Sequence, residues 1–198
     1  MENEPIKVVV IRGSVRPGNY TGRACAIVVD ELEKTDGVGV TEIDPAPLDL
    51  PLPGLDPDHG VAAEMRETVA GATGVIFATP EYHGGISSVT KLVIDNLGFP
   101  SVLSGKPVAL LGVAAGQIGA IKSLEQLRSI CSHVGAIVLP GPVSVPGVRR
   151  VFDDDGRIAD EGTEKRIRGV ATNLVDYVRR NICPRIALES MVREDADA

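Results

Sequence analysis

Residues 6–21 read Ile-Lys-Val-Val-Val-Ile-Arg-Gly-Ser-Val-Arg-Pro-Gly-Asn-Tyr-Thr, and this stretch decides the fold. Ile6 to Ile11 is apolar almost throughout and rich in β-branched residues, as a strand covered on both faces requires. The run breaks at Gly13, and Pro17-Gly18-Asn19 marks a turn. From Thr21 to Glu33 the spacing becomes helical, with Ala24, Ile27, Val28 and Leu32 on the apolar side. Strand, glycine loop and helix then recur. Val38–Ile43, Thr73–Thr79 (stopped by Pro80), Lys106–Val113 and Gly135–Leu139 read as further strands. Asp58 is expected to cap a helix presenting Ala62, Met65 and Val69. Ser87 or Ser88 is expected to cap one burying Val89, Leu92, Val93 and Asn96 or Leu97. Ile121, Leu124, Leu127, Cys131 and Val134 mark another, and Glu161–Arg180 the last. Asp44–Pro57 and the segment holding Pro140, Pro142 and Pro146 read as loops. Alternating strands and helices with right-handed crossovers specify an α/β, doubly wound five-stranded parallel sheet in a single domain over residues 1–183. Residues 184–198 read as a mobile acidic tail.

The chain has 198 residues with 20 Lys+Arg against 27 Asp+Glu, a net charge of -7. That balance argues against a nucleic-acid partner, which needs basic surface to displace counterions. There is no Trp, with only three Tyr and three Phe, so platforms for stacking successive bases are scarce. No apolar run approaches the ~20 residues of a membrane span, and the N-terminus lacks the basic and apolar regions of a secretory signal. Cys25, Cys131 and Cys183 form no CxxC pair. No membrane association and a cytoplasmic location are therefore expected.

In an open α/β sheet the ligand lies beyond the carboxyl ends of the strands. Three glycine-rich loops fall there. The first, Gly13–Thr21, offers backbone amides at a helix start, the donors Ser14, Asn19 and Thr21, the ring of Tyr20, and the guanidinium fork of Arg16. It has neither the Lys-Ser/Thr ending of a Walker A loop nor the GxGxxG spacing, and suits a single phosphate better than either. The second, Pro80–Ser88, carries Glu81, Tyr82, His83 and Gly84; Tyr82 can lie along a flat heterocycle. The third, Gly112–Gly119, is small and uncharged, with Gly116 near its middle. Each loop also suits a plain strand–helix connection, and spacing alone admits both readings. Other chemistries fit poorly. His59, His83 and His133 lie apart, no G-x-S-x-G elbow occurs, and the Asp153-Asp154-Asp155-Gly156 run would put Val151 and Gly162 at the ends of a calcium loop.

At these loops the sequence resembles the NAD(P)H-dependent FMN reductase family, whose phosphate loop reads G-S-x-R-x-x-S-x-N. Gly13, Ser14 and Arg16 match, with Asn19 and Thr21 in place of Ser and Asn. The family's second motif, P-E-Y-N-G-S-x-P-G-x-L-K-N-x-I-D, is met at Pro80, Glu81, Tyr82, Gly84, Lys91, Ile94 and Asp95. His83 replaces the Asn, and Ser87-Ser88 the Pro-Gly. In the third loop Ala114 and Ala115 stand in place of Ser and Pro. The resemblance spans about Ile6 to Arg180. It implies a flavodoxin-like fold with strand order 2-1-3-4-5, and FMN gripped by Ser14, Arg16, Asn19, Tyr20 and Thr21. The ring would rest against Pro80, Glu81, Tyr82, His83 and Gly84, with Gly116 near its edge. It further implies NADPH or NADH as hydride donor to flavin N5, ping-pong transfer to a small-molecule electron acceptor, and a homodimer or homotetramer joined near Lys91 and Asp95. With Arg16 assigned to the phosphate, a neutral acceptor such as a quinone or free flavin is expected. A flavodoxin-like electron carrier and a non-enzymatic FMN-binding protein are the alternatives.

Overall fold

The computed structural model describes residues 5–56, 59–153 and 155–196. Strands β1 (Ile6–Arg12), β2 (Val38–Ile43), β3 (Gly74–Tyr82), β5 (Pro107–Val113) and β6 (Ile137–Val138) form a parallel sheet in the order β2-β1-β3-β5-β6. Leaving aside the two-residue β4 (Gly85–Ile86), this is the expected 2-1-3-4-5 order. Alternation along each strand sends side chains to two cores. Val8, Val10, Ile76, Ala78 and Leu111 pack beneath α1 (Tyr20–Glu33) and α5 (Glu161–Tyr177). Val9, Ile11, Val75, Phe77 and Leu110 pack on the opposite face beneath α2 (Gly60–Ala70), α3 (Ser88–Asp95) and α4 (Ile121–His133). Cys25 and Cys131 are buried hydrophobes in these cores. Burial pushes the Cys25 thiol up strongly and that of Cys131 up to about 12, so neither supplies a thiolate.

Four departures from the sequence reading have local causes. β3 does not stop at Pro80 but continues to Tyr82. Pro80 is opposite Val113 in the last pair of the β3–β5 ladder, where its missing N–H costs little. The fifth strand is split. β6 pairs with Pro107–Val108, the chain swings out through Pro140-Gly141-Pro142, and β7 (Val143–Val145) rejoins β5 at Leu111–Val113. Two prolines without donors interrupt a ladder that the flanking valines resume. The last helix ends at Tyr177 and passes through a π-helical turn, Val178–Ile182, into α6 (Cys183–Ala196). The Cys183 amide donates to Val178 O, five residues back. Pro184 cannot donate to Arg180 and its ring would crowd that carbonyl, and the wider turn relieves both. Residues 183–196, read as tail from 184 onward, are thus helical. Finally, α2 begins at Gly60 with no side-chain cap at His59; Asp58, the expected cap, lies outside the described residues.

The proline-rich segment before α2 is anchored. Leu48 and Leu50 pack on the second core, and Asn96 Nδ2 donates to Pro51 O at 3.0 Å. On α3, Ser87 is the cap, accepting from Thr90 N at 3.0 Å. Val93 and Leu97 are buried, whereas Val89 and Leu92 are half-buried.

Candidate active site

A cleft of about 370 Å³ opens at the carboxyl ends of β1, β3 and β5. Its floor is set by a close approach of two strands. The Gly13 amide donates to Ala78 O at 2.7 Å, and a Cβ on Gly13 would stand 2.6 Å from that oxygen and collide with Thr90 Oγ1. A chain of buried hydroxyls fixes this junction. Ser87 donates to Gly13 O and accepts from Thr90 N, which brings its oxygen to 2.9 Å from Thr90 Oγ1; the Thr90 hydroxyl donates to Thr79 Oγ1 at 3.0 Å, and Thr79 in turn donates to Pro80 O at 3.0 Å. Every member has a partner, so the network ties the first loop to β3 and α3 without an orphaned polar group.

The first loop turns at Gly18, with φ +63°, and enters α1 through Asn19. Asn19 Oδ1 accepts from Gly22 N at 2.7 Å and its Nδ2 donates to Arg16 O at 2.7 Å. Both ends of the amide are therefore used within the loop: Asn19 shapes the loop rather than lending a free donor. The amides of Tyr20 and Thr21, in the first turn of α1, have no intrahelical acceptor. Arg12 is also committed, forking onto Glu42 at 2.6 and 2.7 Å and onto Asp44 at 3.0 Å. The hydrogen bond to Glu42 raises its pKa further, so it stays a fixed cation bridging β1 and the end of β2. Arg16 is exposed, lines the cleft and makes no ion pair with a described residue.

The second loop is a β-hairpin. Glu81 pairs with Ile86 and Tyr82 with Gly85, leaving His83 and Gly84 as a two-residue turn with φ +51° and +76°. Two successive positive φ values mark a type I′ turn, which favours Asn-Gly. Histidine is among the few side chains enriched at positive φ, which accounts for His83 in the family's Asn position. We predict that His83→Asn changes stability by less than about 0.5 kcal/mol, whereas His83→Val costs about 1–2 kcal/mol; thermal denaturation of the two variants reads the difference. Ile86 N donates to Gln126 Oε1 at 2.9 Å, and Glu81 Oε2 accepts from Ser123 N at 3.1 Å in the first turn of α4. Glu81 thereby satisfies a helix-start amide. Tyr82 is 37% exposed, and its hydroxyl lies 3.4 Å from the buried Ser14 Oγ, joining the first two loops.

The cleft thus gathers Ser14, Arg16, Asn19, Tyr20, Thr21, Pro80, Glu81 and Tyr82. His83, Gly84 and Gly116, also expected at the site, do not line it. His83 and Gly84 form the hairpin tip, where Gly84 approaches Lys122, and the Gly116 carbonyl accepts from Gly119 N and Gly147 N. The third loop contributes Val113, Ala114 and Ala115 instead. Val148 and Arg149 also line the cleft, and neither is among the residues that the sequence motifs single out. The basic pair Arg149-Arg150, just after a strand and Gly147, was the available signal. No cluster of metal-ligating side chains occurs among the described residues, and no described helix is long and apolar enough to cross a membrane.

The NADPH-dependent FMN reductase profile matches residues 6–149, which include all three loops. The chain belongs to this family. It is 30% identical over 184 residues to an NAD(P)H-dependent FMN reductase of Pseudomonas aeruginosa, covering 90% of this chain and 98% of that one. It is likewise 30% identical over 189 residues to a quinone reductase of Escherichia coli, with the same coverage. Among solved structures it resembles FerB, a flavoenzyme NAD(P)H:(acceptor) oxidoreductase from Paracoccus denitrificans. That match has a TM-score of 0.76 at 23% identity, covering 88% of this chain and 97% of that chain, and establishes the shared flavodoxin-like architecture.

Proposed function

We propose that this protein is an FMN-containing oxidoreductase that takes two electrons from NADPH or NADH and passes them to a small acceptor such as a quinone or free flavin. The carrying observation is the cleft itself, where the exposed Arg16 and the first-turn amides of α1 share one cavity with the exposed ring of Tyr82. The donor set fits FMN: a guanidinium and helix-start amides suit a phosphate monoester, and Tyr82 with the small Ala114 and Ala115 leaves room for a planar ring. Ser14 and the Tyr82 hydroxyl orient the passage between the two regions. Bound FMN supplies the two-electron carrier, while the protein supplies position and electrostatics. The family membership and the quinone-reducing relatives support this reading.

Anaerobic mixing of FMN-loaded protein with NADPH or NADH is expected to bleach the flavin absorbance without any partner protein, and a quinone should restore it. A flavin that stays oxidised would favour the electron-carrier reading; binding with negligible turnover, the non-enzymatic one. Higher kcat/KM for a quinone or flavin than for a metal oxyanion is expected.

Self-association belongs to the same reading. Val89 and Leu92 on α3 are only half-buried, Phe99 is fully exposed, and Leu52 and Leu55 are exposed. Lys91 meets Asp95 on the same helix at 2.6 Å, which leaves the apolar residues as the adhesive. A homodimer or homotetramer is the expected state. Light scattering at micromolar protein that returned the mass of one chain would sink it.

A further inference from the structure

Beyond the loop that the family motif describes, we infer that Arg149, which lines the same cleft as Arg16, is a second ligand of the FMN phosphate. The inference rests on the FMN reading above. Residues 147–153 form a strap between two parts of the site. At its start, Gly147 N donates to Gly116 O and Val148 N to Ala114 O, each at 3.0 Å, which fixes it to the third loop. At its end, Phe152 stacks on Tyr20 with ring centroids 6.0 Å apart, and Arg23 Nη1 donates to Asp153 O at 2.7 Å. Tyr20 and Arg23 belong to the first turn of α1, beside the phosphate loop. The strap therefore runs from the third loop toward the start of α1, away from the His83-Gly84 tip. Arg149 lies midway along it and lines the same cleft as Arg16 and Thr21.

Charge balance points the same way. Arg149 is exposed and makes no ion pair with a described residue, in a protein of net charge -7. Glu81 is the one carboxylate lining the cleft among the described residues, and it is engaged by Ser123 N. A phosphate monoester carries about −1.5 to −2 charges near pH 7. Arg16 alone leaves this under-neutralised, and a second guanidinium completes it with further charge-assisted hydrogen bonds. Val148, buried and hydrogen-bonded to Ala114 O, anchors the strap while leaving the neighbouring guanidinium free to reach the anion.

The test is fluorescence titration of the full apo chain with FMN and with riboflavin, at low and high salt, for wild type, Arg149→Ala and Arg149→Lys. Arg149→Ala is expected to raise the FMN Kd about tenfold, leave the riboflavin Kd within about twofold, and flatten the salt dependence of FMN binding. Arg149→Lys is expected to recover part of the loss. An unchanged apo melting temperature in both variants confirms that the strap still folds. Full retention of FMN-over-riboflavin selectivity in Arg149→Ala would overturn the inference while leaving the FMN reading intact. Unchanged FMN affinity with a reduced preference for NADPH over NADH would overturn it too, moving Arg149 to the dinucleotide's 2′-phosphate. A wild-type chain that bound FMN no better than riboflavin would instead defeat the parent reading.

Discussion

Gly13→Ala is expected to abolish FMN binding and to cost about 3 kcal/mol of stability, at the upper end of what an added methyl group costs in a packed site. The added Cβ would stand 2.6 Å from Ala78 O and collide with Thr90 Oγ1. Neither neighbour can yield cheaply. Ala78 O is backbone in the middle of β3, and it accepts the Gly13 amide. Thr90 Oγ1 is held between Ser87 and Thr79 in the buried hydroxyl chain. Relief requires the first loop to lift off β3, which separates Ser14 from Tyr82 and opens the cleft. For a chain of this size, 3 kcal/mol corresponds to a melting temperature lower by roughly 6–12 °C. Gly18→Ala is the control. Its φ is +63°, but nothing lies within 4 Å of an added Cβ, so only the backbone preference is paid, about 1 kcal/mol. Calorimetry and FMN titration of the two variants separate steric closeness from turn conformation. Equal, small losses in both would show that the strand junction does not depend on Gly13.

The contrast between these two glycines shows what the sequence could and could not convey. Both stand in one loop and both read as turn glycines. Only the tertiary contact with Ala78 and Thr90, more than sixty residues away, distinguishes them. The same division runs through the fold. Ile6–Ile11 and Val75–Phe77 are apolar without alternation, and that local pattern suffices to announce buried parallel strands. β6 falls within Gly135–Leu139, where the apolar run announces a strand, but β7 lies beyond Pro140-Gly141-Pro142, and its strand character comes from pairing with β5, which no local pattern encodes. In the site, Arg16 and Tyr82 were legible because their chemistry and loop position agree. Asn19 and Glu81 were read for their polar atoms, which the structure spends on the starts of α1 and α4. Arg149 shows in the sequence only as half of a basic pair, because it enters the cleft on a strap whose anchoring partners, Ala114 and Tyr20, are distant in the chain.

Arg16→Ala is expected to weaken FMN binding on the order of 10- to 100-fold and to leave riboflavin within about twofold. A hydrogen bond to a charged group contributes about 1.5–3 kcal/mol, and tenfold in affinity is about 1.4 kcal/mol. The upper part of that range applies if the guanidinium is bidentate on the phosphate. Stability of the apo protein should hold, because the Arg16 side chain is exposed and makes no ion pair with a described residue, and the loop's internal bond is accepted by its backbone carbonyl. That carbonyl survives the substitution, so Asn19 still shapes the turn and still caps α1. The variant thus removes charge without removing the loop, unlike Gly13→Ala, which removes the loop without removing charge. High salt is expected to narrow the gap between wild type and variant, since it screens an exposed ion pair. Titration with both flavins at two ionic strengths reads all of these effects. If FMN and riboflavin lost affinity equally, Arg16 would be acting on the ring or on the loop's shape, and the phosphate would have to be placed elsewhere in the cleft.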